Sequence, residues 1–118
     1  MSFILLITGG VVPAADAPSL AGKWKIHTSI AGDESDQQCT FTQTDKDLGG
    51  TCINKQGTVT ITGKIDAKKV TWQHKSEYEG ESLTVIYTGT VDSPTKIVGT
   101  VDVQPMDVSG DFTAVLAQ

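Results

Sequence analysis

One hairpin unit recurs through this chain: a β-run rich in Thr and branched residues, a polar turn, and a second β-run, with glycine at an apolar position of one or both runs. Gln38-Cys39-Thr40-Phe41-Thr42-Gln43 turns at Asp45-Lys46 into Leu48-Gly49-Gly50-Thr51-Cys52. Thr58-Val59-Thr60-Ile61-Thr62-Gly63-Lys64-Ile65 turns through 66–69 into Val70-Thr71-Trp72. Tyr87-Thr88-Gly89-Thr90-Val91 turns through Asp92-Ser93-Pro94-Thr95-Lys96 into Ile97-Val98-Gly99-Thr100-Val101. Adjacent hairpins of this kind specify a meander of antiparallel strands.

Further turns at Gly32-Asp33-Glu34-Ser35, Asn54-Lys55-Gln56-Gly57, Glu79-Gly80-Glu81 and Asp107-Val108-Ser109-Gly110 complete the division. The result is eight strands at about 23–30, 36–43, 48–54, 57–65, 69–76, 82–91, 96–104 and 110–117. The 31–37 segment, with its glycine and clustered polar residues, reads as a loop. Period-two alternation places Trp24, Ile26 and Ile30 on one face of the first strand, and Lys25 and His27 on the other. The same alternation puts Val59, Ile61, Ile65, Val70 and Trp72 inside. It continues with Leu83, Val85, Tyr87 and Val91, then Ile97, Val101 and Val103, then Phe112, Ala114 and Leu116.

Counting back from the turns sets Gly50 opposite Phe41, Gly63 opposite Trp72, and Gly89 opposite Gly99. Inward glycines permit tight curvature, and a facing aromatic covers the bared backbone. The expected fold is therefore all-β: an eight-stranded antiparallel up-and-down barrel, whose closure removes exposed edges. The count from Asp45-Lys46 also brings Cys39 directly opposite Cys52, which predicts one interstrand disulfide. A metal site is not implied, since the two thiols have no second pair and no nearby His.

Charge and the amino end narrow the setting. The net charge is −5 and the chain contains no Arg, which argues against a nucleic-acid partner. Residues 3–12 are apolar apart from Thr8 and two glycines, and Pro13-Ala14-Ala15-Asp16-Ala17 follows. This resembles the core and small-residue exit of a secretory signal, with Val12-Pro13-Ala14 suited to cleavage after Ala14. The run falls short of the roughly twenty residues a stable transmembrane span needs. Residues 1–18 are accordingly expected to be a signal remnant or flexible segment, and 19–118 one domain, secreted or periplasmic, where a disulfide persists.

Leu20-Ala21-Gly22-Lys23-Trp24 resembles the Gly-x-Trp opening of the lipocalin-like, or calycin, barrels. That resemblance, covering about residues 20–117, implies an eight-stranded barrel in which the Trp closes one end. The Arg that packs on this Trp in many lipocalins has no counterpart here. The same opening and the Cys39/Cys52 pair are also similar in arrangement to the small secreted metalloprotease inhibitors of bacteria. By that resemblance, Ala17-Pro18-Ser19-Leu20 would be a segment that enters a protease cleft.

For chemistry, the alternation points His74 inward near the end of its strand, with Tyr78 and Tyr87 expected nearby and Gln43 entering from the first hairpin. An apolar cavity with a few convergent polar groups is the usual form of a small-ligand site. The expected function is non-enzymatic binding of a small apolar or amphipathic ligand at the barrel mouth. Trp24, Trp72 and Tyr87 would supply apolar contact and His74 orientation. Glu77, Glu79 and Glu81 read as a solvated loop, and His27 as a surface residue. No cofactor is implied, and no nucleophile elbow, phosphate-cradling loop or metal motif is present in the sequence. The alternatives are a protein-binding barrel, such as a protease inhibitor using its amino-terminal segment, or a packed accessory domain.

Overall fold

The computed structural model describes residues 19–55 and 57–117. They form eight strands: β1 (Gly22–Ile30), β2 (Asp33–Thr44), β3 (Asp47–Asn54), β4 (Gly57–Asp66), β5 (Lys69–Tyr78), β6 (Glu81–Ser93), β7 (Lys96–Gln104) and β8 (Val108–Leu116). Each strand pairs antiparallel with the next, and β8 returns to β1, so the sheet is a closed barrel. The closing ladder runs from Trp24 opposite Leu116 to Ile30 opposite Gly110. The apolar amino-terminal run and the expected cleavage site lie outside the described residues. Within those residues, no helix is long and apolar enough to cross a membrane.

The expected register holds in the hairpins: Cys39 faces Cys52, Phe41 faces Gly50, Gly63 faces Trp72, and Gly89 faces Gly99. Several turns differ from those the sequence suggests: β4–β5 is only Ala67-Lys68, and β8 begins at Val108, where the sequence places a turn. The β1–β2 connection is only Ala31-Gly32, both at positive φ (52° and 84°), as a two-residue hairpin of the left-handed kind requires. The polar run from Asp33 onward is therefore strand and not loop, paired residue for residue with β1. Its Asp, Glu, Ser and Gln residues have poor strand propensity, and pairing with a half-buried neighbour outweighs that preference. Further along, β6 reaches Ser93 through an irregularity between Val91 and Ser93, shortening the expected five-residue turn to Pro94-Thr95.

Alternation along every strand sends one row of side chains inward. Trp24, Ile26, Phe41, Ile61, Ile65, Val70, Trp72, Ile97, Val101 and Ala114 are essentially inaccessible, while Ile30, Val59 and Leu116 are half-buried at the margins. The Cys39–Cys52 disulfide lies in this interior, with its Cα atoms 3.9 Å apart. A link between cysteines 13 residues apart on neighbouring strands restricts the unfolded chain and pins the register of the β2–β3 hairpin.

Closure around so small an interior leaves positions where no side chain fits. A Cβ on Gly63 would stand 2.0 Å from the Thr71 carbonyl oxygen and 2.7 Å from the Trp72 Cα. At Gly50 the obstacle is the Thr40 carbonyl oxygen at 1.9 Å, and φ is +132°, which L-residues rarely adopt. Both glycines permit the backbone approach that bends the sheet. Gly63→Ala is expected to lower stability by about 2 kcal/mol through strand displacement, the scale of overpacking a dense core. Urea denaturation against the unsubstituted protein measures this.

Candidate functional site

The up-and-down order gives the barrel two unlike ends. One carries the amino-terminal entry and the β2–β3, β4–β5 and β6–β7 turns; the other carries the β1–β2, β3–β4, β5–β6 and β7–β8 turns. The first end is plugged. Leu20 is buried there, its N–H donating to Gln43 Oε1 (2.7 Å) and its carbonyl accepting from Trp24 Nε1 (2.9 Å). These bonds satisfy both the buried indole and the entering backbone. Leu20 is thus part of the barrel's plug, while Ala17 and Pro18 lie outside the described residues.

From the plug an aromatic column runs toward the other end. Ring centroids step from Trp24 to Phe41 (6.2 Å), Phe41 to Trp72 (5.1 Å) and Trp72 to Tyr87 (5.0 Å, planes 12° apart). Phe112 meets both Trp72 and Tyr87 edge-on. Trp24 is therefore separated from the mouth by two rings, and Trp72 lies beneath Tyr87. Of the four residues expected at a ligand, the structure brings His74 and Tyr87 together at the mouth, with Trp72 as support and Trp24 at the far end. Trp72 Nε1 is buried without a hydrogen-bond partner.

The mouth holds a cavity of about 310 Å³, bordered by Thr28, Ile30, Gln37, Asn54, Val85, Val103 and the 33–36 stretch of β2, with His74 and Tyr87 inside. Depressions of about 360 and 450 Å³ also occur against the outer wall, bordered by β4–β5 side chains and by Lys25, Gln38 and Ile53. Of the three, the mouth alone includes His74 and Tyr87.

Its polar floor forms a directed chain. Asn54 Nδ2 donates to Gln37 Oε1 (3.4 Å), and Gln37 Nε2 donates to Tyr87 Oη (2.7 Å). His74 Nδ1 lies 3.1 Å from the Lys75 carbonyl, which can only accept, so the proton sits on Nδ1. Nε2 is then the acceptor facing the Tyr87 hydroxyl at 3.5 Å. Burial lowers the His74 pKa from its ordinary 6.5, against the smaller opposing effect of the Lys75 carbonyl, and the ring is neutral at pH 7. Burial also pushes the Tyr87 phenol up to about 12, so it remains a hydroxyl. The floor is uncharged.

His74 stands where two ladders part. The β4–β5 ladder spans Thr62–Asp66 and Lys69–Gln73, whereas the β5–β6 ladder continues to Tyr78 opposite Glu81. The residues expected around His74 are placed differently. Gln43 belongs to the plug, because β2 crosses the whole barrel and Gln43 sits at its distal end. Tyr78 is 55% exposed on the β5–β6 hairpin. Gln37 takes the place assigned to Gln43. Its inward direction follows from the parity of Cys39 and Phe41, a signal hidden by reading 31–37 as a loop.

On the outer face, His27 ties the hairpin at the mouth. Its Nδ1 lies 2.7 Å from Asp36 Oδ1 and its Nε2 2.6 Å from Glu34 Oε1, while Ser29 Oγ donates to Glu34 Oε2 (2.6 Å). Both ring nitrogens can donate only when the ring is an imidazolium. Hydrogen bonds to Asp36 and then Glu34 raise the His27 pKa. Those from Ser29 and then His27 lower that of Glu34.

The fold and site define a small closed β-barrel with a plugged end and a polar-floored mouth. A redesigned β-barrel, b11L5F_LGL, is similar to it with a TM-score of 0.63 and 20% identity, over 84% of this chain and 91% of that one. EF1p2_mFAP2b, in a structure bound to DFHBI, is similar with a TM-score of 0.59 and 14% identity, over 84% and 94% of the two chains. At these identities the likeness is one of fold. A scan against protein-family models and a search of curated proteins each find no match.

Two outcomes follow from the site. His27 has a raised folded pKa, so its contribution is complete below pH 6.5 and is lost as pH rises through the raised value. Glu34 has a lowered one, so its contribution is present above pH 4.5 and is lost as pH falls through the lowered value. The clamp is therefore complete between those two limits. An NMR titration should place the His27 midpoint above 6.5, and Asp36→Asn should bring it down toward that value. Inside the mouth, Tyr87→Phe removes the acceptor for Gln37 Nε2 and should cost about 1–3 kcal/mol in urea unfolding.

Proposed function

We propose that this chain is a non-enzymatic binding barrel that accepts a small apolar or amphipathic molecule at its mouth. The observation that carries the reading is the cavity of about 310 Å³ bordered by Ile30, Val85 and Val103 and floored by the Gln37–Tyr87–His74 chain. It lies at the lower limit of small-ligand pockets, about twice the volume of an engineered cavity that holds benzene. Apolar walls provide burial, and the floor provides orientation: the ligand seats against Tyr87, with His74 selecting its angle. Trp72 stiffens Tyr87 from below by stacking on it.

Binding is favoured over catalysis by the state of the polar groups. The Tyr87 phenol, pushed up to about 12, stays a hydroxyl, and the His74 Nδ1–H held by a backbone carbonyl turns Nε2 toward it, so the pair is arranged for hydrogen bonding. The reading extends the lipocalin-like resemblance, whose opening Trp here closes one end of an eight-stranded barrel. EF1p2_mFAP2b, similar in fold, binds the small molecule DFHBI. The buried disulfide supports a secreted or periplasmic location.

The test is to fill the mouth. Val85, 8% exposed, borders the cavity, so Val85→Phe occupies it without touching the plug. In fluorescence titrations with an environment-sensitive apolar dye, the unsubstituted protein should enhance emission, and Val85→Phe should weaken affinity at least about tenfold, roughly 1.4 kcal/mol. Circular dichroism controls for folding. Equal dye binding by the two proteins, or none by either, would reject the mouth as the site.

A further inference from the structure

We propose that the molecule the mouth selects is an organic cation with an apolar tail. This rests on the mouth being a ligand site and adds the charge of its ligand. The first observation is the cavity's own border. Asp33, Glu34 and Asp36 meet it, the last two tied to His27 on the outer face, against Lys55 on the same border.

The second observation is the way the up-and-down order sorts charge along the barrel axis. At the mouth end the β1–β2 hairpin carries Asp33, Glu34 and Asp36, and the β5–β6 hairpin carries Glu77, Glu79 and Glu81. Asp107 lies in the β7–β8 turn. The lysines at that end are Lys55 and Lys75, and Lys75 Nζ donates to the Thr84 hydroxyl. Of the chain's nine lysines, Lys23, Lys46, Lys64, Lys68, Lys69 and Lys96 stand toward the plugged end, where they outnumber Asp45, Asp47, Asp66 and Asp92. His27 offsets part of the Glu34 and Asp36 charge on the outer face, and the seven carboxylates named at this end still outnumber Lys55, Lys75 and His27. A cleft with low-dielectric walls focuses the field of such an excess and raises the local concentration of cations.

The third observation concerns the donors that the floor offers an anion. An anion brought into the cavity needs donors to replace its hydration. The donors of the floor are directed along its own chain, from Gln37 to Tyr87 and from His74 to a backbone carbonyl. A cation needs the reverse, its charge remaining in the hydrated acidic rim while its tail occupies the space beside Ile30, Val85 and Val103. Tyr78 and Met106, 55% and 45% exposed on the turns at this end, offer further apolar surface for a tail too long for the cavity.

Three probes with one tail separate charge from burial: octyltrimethylammonium, octanol and octyl sulfate, each titrated calorimetrically below its micellar concentration into the oxidised protein. The cation should bind about tenfold more tightly than the alcohol, equivalent to about 1.4 kcal/mol. The sulfate should bind more weakly than both. Raising NaCl to about 1 M, where the screening length falls to about 3 Å, should erase most of the difference. Asp33→Lys, an exposed change at the start of β2, should lower the cation-to-alcohol ratio at least about threefold, roughly 0.65 kcal/mol. If the alcohol binds and the cation has no advantage, the charge selection is wrong while the mouth remains a ligand site. A cation preference unchanged by Asp33→Lys would place the cation elsewhere and also overturn the inference. Binding of none of the three would reject both it and the reading on which it rests.

Discussion

The pairing of β1 with β8 is the contact on which the other features of this barrel depend. It satisfies two rows of backbone groups that an open sheet would present to solvent or to other chains. It also defines an inside, so that alternation along each strand becomes a division between core and surface. The interior it encloses is narrow, and backbone must approach backbone where a side chain would otherwise stand. Gly63 beneath Trp72 and Gly50 beside Phe41 are consequences of that narrowness.

Along the axis, the same closure stacks the aromatic residues into a column whose two ends have different polar solutions. At the plugged end, the Leu20 N–H donates to Gln43 and its carbonyl accepts from Trp24, so the entering backbone and the buried indole satisfy each other. At the mouth, the column finishes on Tyr87, and the chain from Asn54 through Gln37 and Tyr87 to His74 crosses strands distant in sequence. Gln37 and Tyr87 are 50 residues apart. A satisfied network of this kind rigidifies the floor, since each bond orients the group that makes the next. The acidic hairpins stand around a floor that is itself neutral, which separates the source of the electrostatic field from the surface that holds a ligand's apolar part.

Much of the architecture was legible from local pattern. Turn positions and period-two alternation were sufficient for strand count, register in the hairpins and the facing cysteines, because each depends on residues within about a dozen positions of one another. The β1–β2 hairpin was harder. Asp33 to Gln38 is as polar as a loop, and only its ladder to β1 makes it strand. That error concealed Gln37, whose inward parity with Cys39 and Phe41 was otherwise plain. The placement of Gln43 beside His74 failed for a related reason: alternation tells which face a residue occupies, not how far along the barrel axis it lies.

What the sequence determined by itself was the meander, the inward and outward faces, the Cys39–Cys52 pairing, and an overall acidic charge, all properties of short-range spacing or composition. The tertiary structure decided which end is plugged and which is open. It set Trp24 apart from His74 and Tyr87, and it gathered the acids of separate hairpins at one end. Depth along a barrel is fixed by strand stagger accumulated over eight ladders, and no local window of residues contains that sum.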